Sequence, residues 1–176
     1  MKHILRLLAF ALFPVLCHAQ TSPDGFFGIK WGASVSDAQA ILDANPDLQP
    51  LGQSDSALNY TGGTFGDVPV HKWHLNFQDD KFCGAVLTFE YLRGYVGQNS
   101  AGYMYSRLIG TISEKYGVPG KKAGTSTIWT YPDTPTSKGA KEIRLCFDFR
   151  AKSFWISYTN FYYEKSVDSD PGAKNL

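Results

Sequence analysis

The strongest constraint on this chain is a strand–turn–strand pattern that occurs twice. Residues 70–78 alternate, with His71, Trp73, Leu75 and Phe77 on one side and Lys72, His74, Asn76 and Gln78 on the other. Period-two alternation marks a half-buried strand, because successive side chains leave opposite faces. Asp79-Asp80 supplies a tight turn, and residues 81–92 return as a second long strand. Residues 142–150 and 153–163 have the same layout. A displacement of about 72 residues lays Trp73, Leu75 and Phe77 on Leu145, Phe147 and Phe149, Phe82 on Phe154, and Phe89 on Phe161.

Each hairpin is preceded by a helix signal and one shorter strand. Ser34 or Ser36 can cap a helix over 36–44, in which Ala38, Ile41 and Leu42 recur at helical spacing before Asn45-Pro46 stops it. A second helix is expected over 101–116, with Tyr105, Leu108, Ile109, Ile112 and Tyr116 on one face and Gly117-Val118-Pro119-Gly120 at its end. Short strands are expected at 57–61 and 126–131, and Gly62-Gly63 marks a turn or bulge between strands. The expected architecture is therefore α+β. Two αβββ repeats, 20–92 and 93–165, form one antiparallel sheet with the helices on one face, and 166–176 form a polar, disordered tail.

The first residues carry a different signal. Lys2, His3 and Arg6 make a basic start, residues 4–16 are largely apolar, and Cys17-His18-Ala19 places small side chains where a signal peptidase inspects them. Residues 1–19 thus read as a secretory signal peptide, which implies a periplasmic or secreted protein. The apolar run falls short of the roughly 20 residues needed to span a bilayer, and no later stretch reaches that length. Leu16 in front of Cys17 argues against a lipoprotein signal. The whole chain has 17 basic and 16 acidic residues, and loss of Lys2 and Arg6 with the leader leaves 15 against 16. No block of like charge appears, so neither nucleic acid nor an anionic membrane surface is implied as a partner. An aromatic content of 15 % suits a sheet-rich fold and excludes disorder away from the ends.

If both hairpins turn alike, Trp73, Leu75, Phe77, Phe82 and Val86 lie under the helices, as do Ile143, Leu145, Phe147, Phe149, Phe154 and Ile156. His74, Cys83, Leu87, Phe89, Tyr91, Cys146, Trp155, Phe161 and Tyr163 then occupy the bare face. A bulge at either turn would shift the register by one and exchange the faces. Without a bulge, the bare face is rich in large rings, and monomers rarely expose such patches without a use. Trp129, Tyr131, Trp155, Phe161 and Tyr163 are the candidate binding residues.

Catalytic and metal chemistry find little support. His71 and His74 are three apart, which on a strand sends them to opposite faces. His74 with Cys83 or Cys146 could form a thiol–histidine pair, and with Asp148 a metal set, but no spacing matches a zinc signature. Asp79-Asp80 suits a turn better than an acid–base pair. Lys121 and Lys122 read as solvated loop residues, and no glycine stretch has the setting of a phosphate loop. Neither metal nor cofactor is called for. Cys83 and Cys146 form a candidate disulfide in an oxidising compartment, provided that their Cα atoms lie roughly 4.4–6.8 Å apart.

The second half runs from Ile112 through Lys115-Tyr116-Gly117-Val118-Pro119 to Trp129, Tyr131 and the alternating strand 143–149. This resembles the small lipoprotein of the outer-membrane barrel assembly machine, in which a helix ends in a Gly-x-Pro turn before three strands. In tandem, such units resemble the secreted beta-lactamase inhibitor protein, whose repeats present an aromatic concave face to a partner. The opening Gly28-Ile29-Lys30-Trp31-Gly32 is similar to that of exported bacterial proteins of unknown function. The inhibitors have a disulfide within each repeat, whereas this chain has one cysteine in each half, so the resemblance implies the fold rather than the activity. The expected function is non-catalytic recognition of another protein outside the cytoplasm through an aromatic sheet face. A small-ligand or glycan binder is the alternative, and a cysteine-dependent hydrolase comes after it.

Overall fold

A computed structural model describes residues 22–54, 56–90, 100–117, 120–132, 140–148 and 153–161. The expected signal peptide, the polar tail and Tyr163 lie outside them. Both helices form where their caps predict. In α1 (Val35–Asp43), the Ser34 side chain accepts from the backbone N–H of Asp37, and Ala38 and Leu42 are buried. In α2 (Ala101–Tyr116), Ser100 plays the same part for Tyr103, and Gly117 closes the helix in the left-handed region at φ 64°. Met104, Leu108, Ile112 and Tyr116, spaced four apart, make the buried stripe of α2.

The strands are β1 (Gly25–Phe26), β2 (Ile29–Lys30), β3 (Leu48–Ser54), β4 (Ala57–Gly62), β5 (Thr64–Phe65) and β6 (Val68–Pro69). They continue with β7 (Lys72–Gln78), β8 (Lys81–Glu90), β9 (Lys121–Ala123), β10 (Ser126–Pro132), β11 (Ala140–Asp148) and β12 (Ser153–Asn160). Eight of them form one antiparallel sheet in the order β3-β4-β7-β8-β12-β11-β10-β9, while β1-β2 and β5-β6 are separate two-residue ladders. The fold is α+β, with both helices packed on this sheet. The first half supplies a meander ending in β8 and the second a meander ending in β12. The two meet at the centre, with Glu90 opposite Ser153 and Gly84 opposite Thr159.

Each half contributes four strands to the sheet rather than the expected three. The additional ones are the edge strands β3 and β9. An edge strand touches the core little, so its sequence is free of alternation. Only Leu48 of β3 is buried, and all of β9 is exposed.

The two long hairpins differ in register. In β7–β8, Asn76 pairs with Gly84 but Phe77 pairs with Phe82, which leaves Cys83 as the additional residue of a bulge. Phe82 stays inward, and the strand changes phase after it. Ala85, Leu87 and Phe89 are buried, whereas Val86 sits opposite His74 on the bare side. The expected placement of Leu87 and Phe89 outward and Val86 inward is corrected by this one residue. In β11–β12 no bulge occurs. Phe147 lies opposite Phe154, Leu145 opposite Ile156, and Cys146 opposite Trp155.

One continuous core results on the helix side. Leu87 meets Ile156 and Phe89 meets Phe154 across the central pair, and both belong to the cluster that receives Leu42 of α1 and Leu108 and Ile112 of α2. Each such side chain contributes about 1.5–3 kcal/mol through burial. Two polar tips within it are matched locally. Trp73 Nε1 donates to the Gly62 carbonyl at 2.8 Å, and the Tyr60 hydroxyl donates to Asp43 at 2.6 Å. Arg107 of α2 is paired with Asp67 in the β5–β6 turn.

Candidate functional site

The structure separates the four described residues of the five singled out from the sequence, the fifth being Tyr163. Trp129 and Tyr131 are each 1 % exposed. Their register on β10 turns them, with Thr127, toward the core, and Trp129 sits opposite the buried Ile143. Trp155 does point to the bare face, half-buried between Cys146 and Thr88. Phe161 follows β12 and is 42 % exposed.

Around Trp155 the bare face is polar. His74 Nδ1 lies 2.8 Å from Asn59 Oδ1, and Arg144 pairs with Glu142 at 2.9 Å. Asn76, Thr88, Ser157 and Thr159 fill the rows between them. Of the rings expected to crowd this face, Phe89 lies instead beneath the helices, and Tyr91, like Tyr163, falls outside the described residues.

The cysteines do not meet. Neither is in a disulfide. Cys146 shares its row with Trp155 and Thr88, five residues along β8 from Cys83 and two strands across. At the spacings of a β-sheet this separates them by on the order of 20 Å, beyond disulfide reach. Cys83 is buried in its bulge, where its thiol donates to the Asn76 carbonyl at 3.4 Å, while Cys146 lies 3.8 Å from the Thr125 hydroxyl. His71 faces Glu90 at 3.3 Å. Among the described residues, no three His, Cys, Asp or Glu side chains converge as metal ligands would.

The helix side holds a concave feature that the sequence did not advertise. Between the first turn of α2 and the β9–β10 hairpin lies a cleft of about 460 Å³. Its floor is aromatic: Phe147 and Phe154 are 4.6 Å apart between ring centres, and Tyr105 lies over Phe154 at 5.8 Å with planes inclined by 28°. The Tyr105 hydroxyl is fixed at 2.8 Å from Thr127 Oγ1, whose residue is 2 % exposed. Small residues, Ala101 and Gly102, form the helix wall.

Lys122 and Thr125 stand on the opposite wall. Lys122 pairs with the inward-facing Thr127, so register places it on the cleft side of β9 and leaves Lys121, opposite Ile128, on the other. The hairpin itself needs Gly124, at φ 61°, in the first position of its two-residue turn.

The matching corner of the first half is closed. There Phe77 and Phe82 make the corresponding ring pair at 5.7 Å, and Trp31 stacks on Phe82 at 5.1 Å with planes inclined by 9°. The chain leading into α1 is tied down on both sides of that ring. Gly32 N–H donates to the Phe82 carbonyl at 2.9 Å, and Phe82 N–H to the Ala33 carbonyl at 2.8 Å. The Asp80 carboxylate then accepts from Val35 N–H at 2.9 Å. The equivalent space is thus filled by the protein itself.

At the other end of α2 from the cleft, Tyr116, Tyr131 and Tyr158 cluster in the core, with ring centres of Tyr116 at 6.0 Å from Tyr131 and 6.2 Å from Tyr158. Burial pushes all three phenols up, Tyr131 to about 12. Tyr116 and Tyr158 share a hydrogen bond, while the Tyr131 hydroxyl has no partner among the described residues.

Sequence reasoning assigned Tyr105 to a helix face and Lys122 to a loop. The one signal that joins them is the register of β9–β10–β11, which no local pattern encodes. Comparison with family models, with curated proteins and with solved structures gave no match.

Proposed function

We propose that this chain is an exported, non-catalytic binding protein that takes a small ligand with a flat apolar body into the cleft between α2 and β9–β10. One observation carries the reading. Two corresponding corners of the sheet each present a phenylalanine pair, and the first is filled by Trp31 while the second lines a cleft. Ligand sites are typically apolar hollows of about 300–1,000 Å³ with a few fixed polar groups. A ligand ring stacked on Tyr105 and Phe154 would stand where Trp31 stands in the other corner.

The order of elements, one helix and one four-strand meander in each half, supports an origin by duplication. It is also the ground for the likeness to tandem-repeat secreted inhibitors, which concerns the plan and not the activity. Export rests on the first nineteen residues.

2-Naphthaleneethanol serves as a neutral probe. At ten times its dissociation constant it should stabilise the fold by about 1.4 kcal/mol, a rise in melting temperature of about 4 °C. Gly102→Phe projects a ring into open space at the helix wall, where a Cβ meets nothing within 4 Å. That variant should keep or gain stability and lose the probe. A probe-insensitive wild-type melting temperature would refute the cleft as a binding site.

A second reading, recognition of a protein through the bare face, is favoured by Trp155, which points to that side, and by Phe161, which is exposed just past β12. Replacing both by serine would then abolish partner capture without unfolding the domain.

A further inference from the structure

We infer that the cleft selects a carboxylate: its ligand is an aromatic or alicyclic acid whose body lies on Tyr105, Phe147 and Phe154 and whose anionic head meets Lys122. The inference rests on the cleft being the binding site.

The charge around the cleft is one-sided. Lys122 is exposed and is held on the cleft side of β9 by its pairing with Thr127, and among the described residues no acidic one lines the space. The two acidic side chains nearest in register, Glu142 and Asp148 of β11, occupy the rows of Arg144 and Cys146 on the opposite face of the sheet. The opposing wall is the first turn of α2. Ser100 Oγ satisfies Tyr103 N–H and the Ser100 carbonyl accepts from Met104 N–H, so Ala101 and Gly102 retain the free N–H groups of a helix start. These favour negative charge within the first turn. Thr125 adds a hydroxyl at the rim.

Lys122 and the helix start therefore face each other across an apolar floor that offers no hydrogen bonds to a polar head. A carboxylate on a flat body satisfies both walls at once. A neutral body satisfies only the floor, and a cation meets repulsion at Lys122.

The test compares 2-naphthylacetate with 2-naphthaleneethanol, titrated into the mature chain by fluorescence at low and at high salt. The acid should bind about fivefold more tightly at low salt, and the preference should shrink in 0.5 M salt as screening takes effect. Lys122→Met should remove most of the preference of the acid over the alcohol, and Lys122→Arg should restore it. Lys122 lies on an exposed edge strand, so both variants keep the fold. Equal binding of the two probes by the wild-type chain, or a preference that survives in Lys122→Met, overturns the inference and leaves the cleft reading standing. Binding of neither probe overturns both.

Discussion

The two ends of the sheet solve one packing problem in different ways. At the β7–β8 turn, the phenylalanine pair is covered by Trp31, a ring held in sequence just before α1 and hydrogen-bonded through Nε1 to the Pro23 carbonyl at 2.8 Å. At the β11 and β12 ends, Tyr105 covers the pair from within α2, and the cleft lies beside them. A residue within a helix cannot swing across the sheet as a residue preceding one can, and space for the cleft remains. Two corners of like design thus diverge through the position of a single aromatic residue relative to its helix. One serves stability, and the other leaves apolar surface for something else.

The bulge divides the halves more deeply, because the phase after it turns Leu87 inward and Val86 outward, and charging the inward row has the largest expected effect. Leu87→Asp puts a carboxylate at a fully buried position opposite Ile156. The loss should exceed about 4 kcal/mol, close to the whole stability of an ordinary domain. Val86→Asp, one residue away on the bare side opposite His74, should cost under about 1.5 kcal/mol. Similar denaturation midpoints for the two variants would remove the bulge from the explanation.

Emptying the filled corner comes next. Trp31→Ala should cost about 2–3 kcal/mol, or roughly 8 °C in melting temperature for a domain of this size. It should also create a second site for 2-naphthaleneethanol, so that calorimetric stoichiometry rises from one toward two. A destabilised protein that still binds one equivalent would break the correspondence between the corners.

Tyr131 supplies a smaller effect of opposite sign. Its buried hydroxyl lacks a partner, so Tyr131→Phe should stabilise by about 1 kcal/mol at neutral pH. The same phenol is held protonated in the fold up to about 12, against about 10 when unfolded. Between those values the unfolded chain has lost a proton that the native state keeps, so stability falls as pH rises through this window. Tyr131→Phe should flatten that fall in urea titrations at high pH, with Tyr116 and Tyr158 accounting for what is left. The smallest effect belongs to the bare face. Trp155→Ser should cost less than about 1 kcal/mol and leave probe binding unchanged.

What the sequence disclosed follows the range of each signal. Helix periodicity, the Ser34 cap and the Gly117 stop are local, and both helices stand within a residue of their expected bounds. Alternation located the four long hairpin strands for the same reason. The edge strands escaped notice because Gln49, Pro50 and Gly52 in β3, and Lys121 and Lys122 in β9, carry no core-facing pattern. The phase change at Cys83 is a pairing event between strands, and alternation continues on either side of it with no visible break. Trp129 and Tyr131 were placed on a recognition surface by residue type alone, yet which face a strand residue takes depends on register. The cleft is less legible still, since α2, β9, β10, β11 and β12 must all be in place before Tyr105, Lys122 and Phe147 become neighbours.

The most direct test is amide chemical-shift mapping of the isotope-labelled mature chain during titration with 2-naphthaleneethanol. Shifts should concentrate at Ala101, Gly102, Tyr105, Lys122 and Phe154, with Trp31 and His74 undisturbed. Shifts centred on His74, Trp155 and Ser157 would place the ligand on the bare side of the sheet and contradict the cleft as the working site.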